Sequence, residues 1–262
     1  MNVLPPSSPC DACAAPCCRN YHIIITLFDA YRIANTLKMP VTTFAELRWW
    51  EGPEEDYNII LSGAPDAAAQ YYRLSLKKVP DPDPKYEKRC IFLVTVGDRG
   101  RCGVYGVRPD ACRVYPTSYN NGVINIFATG GKYCPPGAWR IEDIDADYFR
   151  GGHLHRLRQK LIHNFLVDGW NERLLFDREE GSQELFFAFV QNSFRELERR
   201  APEVFQELPG LPPARDEMFA LVDGVLRDIG FRTDETVEAA RKRAVSETPV
   251  KAGPPPARPT IT

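Results

Sequence analysis

Cys10-Asp11-Ala12-Cys13-Ala14-Ala15-Pro16-Cys17-Cys18 places four thiols within nine residues. The other four, Cys90, Cys102, Cys112 and Cys134, all precede residue 135, and the remaining half of the 262-residue chain has none. Packing alone does not confine a residue type in this way. Cys10 and Cys13 form C-x-x-C, the spacing that lets two thiolates reach one metal from a tight turn. Cys17 and Cys18 make that common signal more specific. Neighbouring side chains of an extended chain point opposite ways, so the two are expected to play different roles. Eight thiolates match two tetrahedral four-cysteine sites, one iron–sulfur cluster with spares, or a multinuclear site. Sulfur coordination suits zinc and iron–sulfur alike.

Composition bounds the alternatives. Lysine and arginine number 33 against 35 aspartates and glutamates, a formal charge of −2. That balance argues against a non-specific nucleic-acid binder. No run approaches the roughly 20 apolar residues of a membrane span. Met1 to Pro9 lacks both a basic start and an apolar stretch, so no secretory signal is expected and the default location is cytoplasmic. In a reducing compartment clustered cysteines read as metal ligands or redox groups; four disulfides are the alternative for a secreted chain.

The expected fold is α+β: a cysteine-rich metal-binding domain over 1–140 with short strands and helices, a helical region over 141–245 packed on it, and a proline-rich disordered tail over 246–262. Tyr21 to Thr26 reads as a strand or buried lead-in. Thr26-Leu27-Phe28-Asp29 opens a helix close to the capping-box pattern, with Leu27, Ala30, Tyr31, Ala34 and Leu37 on one face and an end before Pro40. Thr43 to Trp49 reads as a second short helix; two packed helices, not a DNA-binding pair, is the expectation. Strands are expected over Tyr71–Val79, Ile91–Val96 and Val123–Thr129. Gly97-Asp98-Arg99-Gly100 turns a hairpin with Cys90 and Cys102 near its ends, and the prolines from Pro80 to Pro84 make a rigid break. Apolar faces at Leu154, Leu157, Leu161 and Phe165, at Leu185, Phe186, Phe189, Val190, Phe194 and Leu197 behind a Ser182 cap, and at Met218 to Ile229 predict three helices. Thr233 caps a weaker last helix to about Val245.

The residues beside the thiols have expected roles of their own. Arg19, Arg101, Arg108 and Arg113 can lower thiol pKa values and offset thiolate charge, or pair with Asp98 and Asp110 at the surface. Arg101 reads as a surface group. Pro109 holds Arg108 extended and presets the turn into Cys112. Tyr105 and Tyr115 can shield the thiolates from water. His22, beside apolar Ile23 to Ile25, reads as a packed or surface residue rather than a ligand. Gly151-Gly152-His153-Leu154-His155 has no acidic or cysteine partner at ligand spacing and reads as a loop leading into a helix.

Cys102-Gly103-Val104-Tyr105-Gly106-Val107-Arg108-Pro109-Asp110-Ala111-Cys112-Arg113-Val114-Tyr115-Pro116 resembles the signature of the YkgJ-type cysteine-cluster family. Its pattern is C-x-x-C-x-x-x-C-C, then C-x-x-Y-x-x-R-P-x-x-C-R-x-aromatic-P. The first part stands here as Cys10, Cys13, Cys17 and Cys18. Ile24 to Phe44 and Cys90-Ile91-Phe92-Leu93 resemble its helix and its C-x-F-L strand, so the resemblance covers about residues 10 to 135. It implies a zinc- or iron-chelating domain, distantly similar to flagellin lysine N-methylases. Cys10, Cys13, Cys17, Cys102, Cys112 and Cys134 are the first choice of ligands and Cys18 and Cys90 the next. The expected function is binding of zinc, iron or a 4Fe-4S cluster in a structural or redox role. One alternative is a protein-modifying enzyme of the lysine N-methylase kind that uses the cluster, although no G-x-G-x-x-G follows a strand; the other is a protein-interaction module stapled by the metal. Both alternatives imply a protein substrate or partner, and neither nucleic acid nor membrane is expected.

Overall fold

The computed structural model describes residues 13–51, 58–61, 70–126, 133–134, 138–177 and 181–205. Short strands and helices fill the N-terminal half and two long helices follow, a mixed α+β fold. The helices expected at Met218–Ile229 and after Thr233, the tail, and Cys10 lie outside the described residues.

Helix α1 (Pro16–Asn20) carries Cys17 and Cys18, with proline at its first position, where the missing N–H is no loss. The chain then runs extended beside a strand: Ile25 N donates to Leu74 O and Leu76 N to Ile23 O, each at 3.0 Å. Helix α2 (Leu27–Leu37) starts with a complete capping box, Asp29 N donating to Thr26 Oγ1 at 3.1 Å and Thr26 N to Asp29 Oδ2 at 3.0 Å. It ends at Lys38, left-handed at φ 53°, before Pro40.

A single turn, α3 (Val41–Phe44), leads into strand β1 (Ala45–Trp49). This corrects the helix expected at Thr43–Trp49. Glu46 and Arg48 alternate with Ala45, Leu47 and Trp49; Ala45 is buried and Leu47, opposite Leu74, packs against the core, whereas Trp49 at the strand end is 50% exposed. Strands β2 (Ile59–Leu61) and β3 (Gln70–Leu76) complete an antiparallel sheet in the order β1-β3-β2. β2 is a strand beyond those expected, and the run expected to Val79 breaks at Lys77.

Three two-stranded ribbons follow: β4 (Lys78–Pro80) with β5 (Lys88–Cys90), β6 (Leu93–Val96) with β7 (Arg99–Cys102), and β8 (Thr117–Asn120) with β9 (Val123–Ile126). The strand expected from Ile91 starts at Leu93, after a turn. Asn121 and Gly122 join the last pair, both at positive φ (50° and 82°), the two-residue turn that matches strand twist. Helix α4 (Asp110–Arg113) is one turn.

The long helices are α5 (Ala146–Asp177) and α6 (Gln183–Arg200), the latter capped by Ser182 Oγ, which accepts from Leu185 N at 3.2 Å. Phe186, Phe189, Val190, Phe194 and Leu197 are buried as the spacing requires, whereas Leu185 is 53% exposed. On α5 the buried face is rotated from the expected one. Leu157 is 50% exposed, while Arg158, Gln159, Ile162, His163 and Leu166 turn inward. Both helices share one continuous apolar core with α2 and the sheet, including Leu27, Ile33, Phe44, Leu74, Ile162, Leu166 and Phe194. Trp170 Nε1 donates to Ile60 O at 2.8 Å and fixes β2 to α5. The Leu27 amide, at the start of α2, donates to His163 Nδ1 at 3.1 Å. No helix among the described residues is long and apolar enough to cross a membrane.

Candidate metal centre

Four separate pieces of chain bring thiols to one cavity of about 440 Å³. Cys13, Cys17 and Cys18 come from α1 and the turn before it, Cys90 from the end of β5, Cys102 from the end of β7, and Cys112 from α4. Cys134 Sγ lies 3.7 Å from Tyr115 Oη, and Tyr115 itself lines the cavity. All seven described cysteines are free thiols, none more than half-exposed.

The supports for these thiols are traceable. Gly100 N donates to Cys13 O at 3.0 Å, seating the Cys13 turn on β7. A Cβ on Gly100 would stand 2.5 Å from Ala15 Cβ and 2.9 Å from Ala14 O, so only glycine admits this approach. Arg19 Nε donates to Asp81 Oδ2 at 2.8 Å and its guanidinium lies 4.7 Å from the Tyr86 ring centre. Arg19 therefore anchors α1 to the proline-rich connection between β4 and β5. Arg108 is extended before Pro109, at φ −58° and ψ 149°, and Cys112 N donates to Pro109 O at 2.9 Å.

The segment carrying Arg108 and Cys112 is clamped from behind. Asp29 Oδ1 accepts from Asp110 N at 3.0 Å, and Arg32 Nη2 donates to Arg108 O at 2.9 Å. Asp110 Oδ2 lies 2.8 Å from His155 Nδ1, and Oδ1 lies 3.5 Å from Arg32 Nη2. Asp110 is 1% exposed, so it is no surface partner for a neighbouring arginine. Burial works to raise its pKa, but His155, Arg32 and Arg113 hold it below the usual carboxylate range. Asp29 goes the other way, pushed up by burial and then by the charge of Asp110. One carboxylate thus caps α2 and holds the Cys112 turn. The Gly151–His155 stretch, expected to be a loop without an acidic partner, is part of α5, and the fold brings it Asp110 from 45 residues away.

For Cys17 and Cys18 the structure corrects the backbone that was expected. They lie in a helix, not an extended chain, and both face the cavity. A hydrogen bond between the two thiols brings Cys17 down to about 7, with Arg108 contributing, and pushes Cys18 up. Burial pushes Cys90 up to about 11 and Cys112 well above the ordinary thiol value, and neighbouring thiols add to both. Cys102 is raised by burial, against the pull of the Val104 amide and Arg108. Each thiolate disfavours the next in this low-dielectric pocket, and a bound cation relieves that repulsion and displaces the protons. The donor set is soft sulfur, which fits zinc or iron. Among the described residues no three Cys, His, Asp or Glu side chains are drawn to the spacing of a finished ion site. The cavity is also far roomier than one ion needs, a water's share of volume being about 30 Å³.

Arg101 is exposed, as expected of a surface group, and lines the cavity with Arg108; Arg113 instead lies 5.9 Å from the Tyr148 ring centre. Arg108 lies over Tyr105 at 4.6 Å, and Tyr21 packs edge-on to Tyr115 at 5.9 Å. Tyr105, Tyr115 and Tyr21 all reach the cavity. His22 is exposed on its rim, its Nδ1 3.1 Å from Arg48 Nη1. His153 contacts Thr117 Oγ1 at 2.9 Å and is not a lining residue. Arg156 on α5, which no sequence spacing singled out, also lines the cavity.

No curated protein and no solved structure matches the chain. Residues 9–135 match the model of the CxxCxxCC family, described as a "putative zinc- or iron-chelating domain". That stretch holds all eight cysteines and every described lining residue of the cavity except Arg156, and over it the chain matches the CxxCxxCC family.

Proposed function

We propose that the protein binds zinc or iron, as separate ions or as an iron–sulfur cluster, through Cys10, Cys13, Cys17, Cys18, Cys90, Cys102, Cys112 and Cys134. The observation that carries this reading is the convergence of six thiols, from four separate segments, on one cavity. The role is structural or redox. A bound metal supplies the positive charge that lets buried thiols ionise, and in zinc-finger peptides such binding is worth on the order of 10 kcal/mol of folding free energy. Arg108 offsets thiolate charge, Tyr21 and Tyr115 restrict water, and the Asp29–Asp110 clamp fixes Arg108 and Cys112. The helical region from residue 141 buttresses the metal-binding domain through His155.

Elemental analysis, acid-labile sulfide and a visible spectrum on protein purified without oxygen test the reading. Iron with sulfide and broad visible absorbance supports a cluster. Zinc at one or two per chain without colour supports a structural centre. Protein that holds neither metal, and takes up neither after reduction of its thiols, defeats the proposal.

A further inference from the structure

The thiols occupy only part of the cavity lining. The rest is an apolar wall, which includes Ile24, Phe92, Leu93 and Val104, and three arginines, Arg101, Arg108 and Arg156, with no carboxylate among the described lining residues. Two of these guanidinium groups, those of Arg108 and Arg156, reach the hollow from different elements. Arg108 is accounted for by the thiols, since its charge acts on Cys17, Cys102 and Cys112. Arg156 is not: it projects from the exposed side of α5, on an element that carries no thiol. A closed structural metal site needs neither an apolar wall nor a cation reaching it from another element. The volume of about 440 Å³ falls in the range of small-molecule pockets, roughly 300–1,000 Å³.

We infer that the cavity is a binding site for a small organic anion, a carboxylate or phosphate head on a short apolar body. The head is held by Arg156 with Arg108, and the body lies on Ile24, Phe92, Leu93 and Val104. Guanidinium groups suit this task because their planar fork pairs with both oxyanions. The inference rests on the proposed metal centre for its account of Arg108, and it turns that centre from a sealed staple into one that shares its cavity with a ligand.

The test is calorimetric titration of the purified, metal-analysed full chain with hexanoate and hexyl phosphate, and with hexylammonium as the cation of equal length. Binding of either anion, with hexylammonium at least tenfold weaker, is expected. Arg156→Gln weakens anion binding about fivefold and Arg156→Glu more than about twentyfold, the effects of losing and reversing one charge a few ångströms away in water. Arg156 is exposed, so both variants keep the fold, and an unchanged thermal midpoint checks this. Equal binding of anion and cation, no binding of either, or anion binding indifferent to Arg156→Glu overturns the inference. Metal content measured on the same samples shows separately whether the metal reading stands.

Discussion

Replacing Gly100 with alanine tests how the Cys13 turn is seated. The new Cβ would stand 2.5 Å from Ala15 Cβ and 2.9 Å from Ala14 O, where carbon atoms normally sit about 3.5–4.0 Å apart. About 1 Å must therefore open between β7 and the turn. Neither side yields easily, because the closest atoms are a Cβ and a backbone carbonyl. Overpacking of this kind costs about 1–3 kcal/mol. Separating the surfaces also stretches the 3.0 Å bond from Gly100 N to Cys13 O, worth about 1 kcal/mol. A total of about 2–4 kcal/mol in a chain of this size lowers the thermal midpoint by about 4–16 °C. Because Cys13 and Cys17 flank the displaced Ala14 and Ala15, metal per chain should fall as well. Gly106→Ala is the control, since nothing lies within 4 Å of a Cβ placed there. Thermal melts and elemental analysis of the two variants read both effects. A Gly100→Ala protein with normal midpoint and full metal content would refute the seating of Cys13 on β7.

Other perturbations reach different parts of the account. Cys112→Ser should lower both metal content and thermal midpoint; an unchanged metal-to-protein ratio removes Cys112 from the ligand set. Asp110→Asn breaks a buried charged contact with His155 and Arg32 and should cost about 3 kcal/mol in a denaturant melt, with weaker metal retention; a loss under about 0.5 kcal/mol would mean the clamp is idle. His163 is held neutral by burial, its pKa lowered from 6.5 to about 4, and its Nδ1 accepts from Leu27 N. The unfolded chain therefore binds a proton that the folded chain resists. The stability this His provides is full above about pH 6.5 and is lost as pH falls toward 4, by about 3 kcal/mol. His163→Gln should flatten that part of the stability–pH curve relative to wild type; parallel curves would contradict the assignment.

Local rules carried the reading where the determinant is local. The Thr26–Asp29 box, the Ser182 cap, the stop before Pro40 and the extended Arg108 all involve partners within a few residues, and each stands as expected. Misreadings arose where the partner is remote. Ala45–Trp49 is a strand because β3 lies beside it, and no helix rule applied to five residues reveals that neighbour. Leu157 and Leu185 fit an apolar stripe but fall outside the face that α2 and the sheet select. Asn121-Gly122 was a signal for the β8–β9 hairpin that a search for apolar runs passes over. At the site six of the eight cysteines that the sequence singles out line the cavity, whereas the Asp29–Asp110–His155 support and Arg156 depend on contacts across α2, α4 and α5. The different roles expected for Cys17 and Cys18 assumed extended backbone; on helical backbone the two thiols meet.

X-ray absorption at the edge of the bound metal measures the central claim most directly, because it counts the atoms around the ion. The account predicts a first shell of sulfur, at about 2.3 Å if the metal is zinc. A first shell dominated by nitrogen and oxygen at about 2.0–2.2 Å would contradict it, and would place the metal away from the thiols of this cavity.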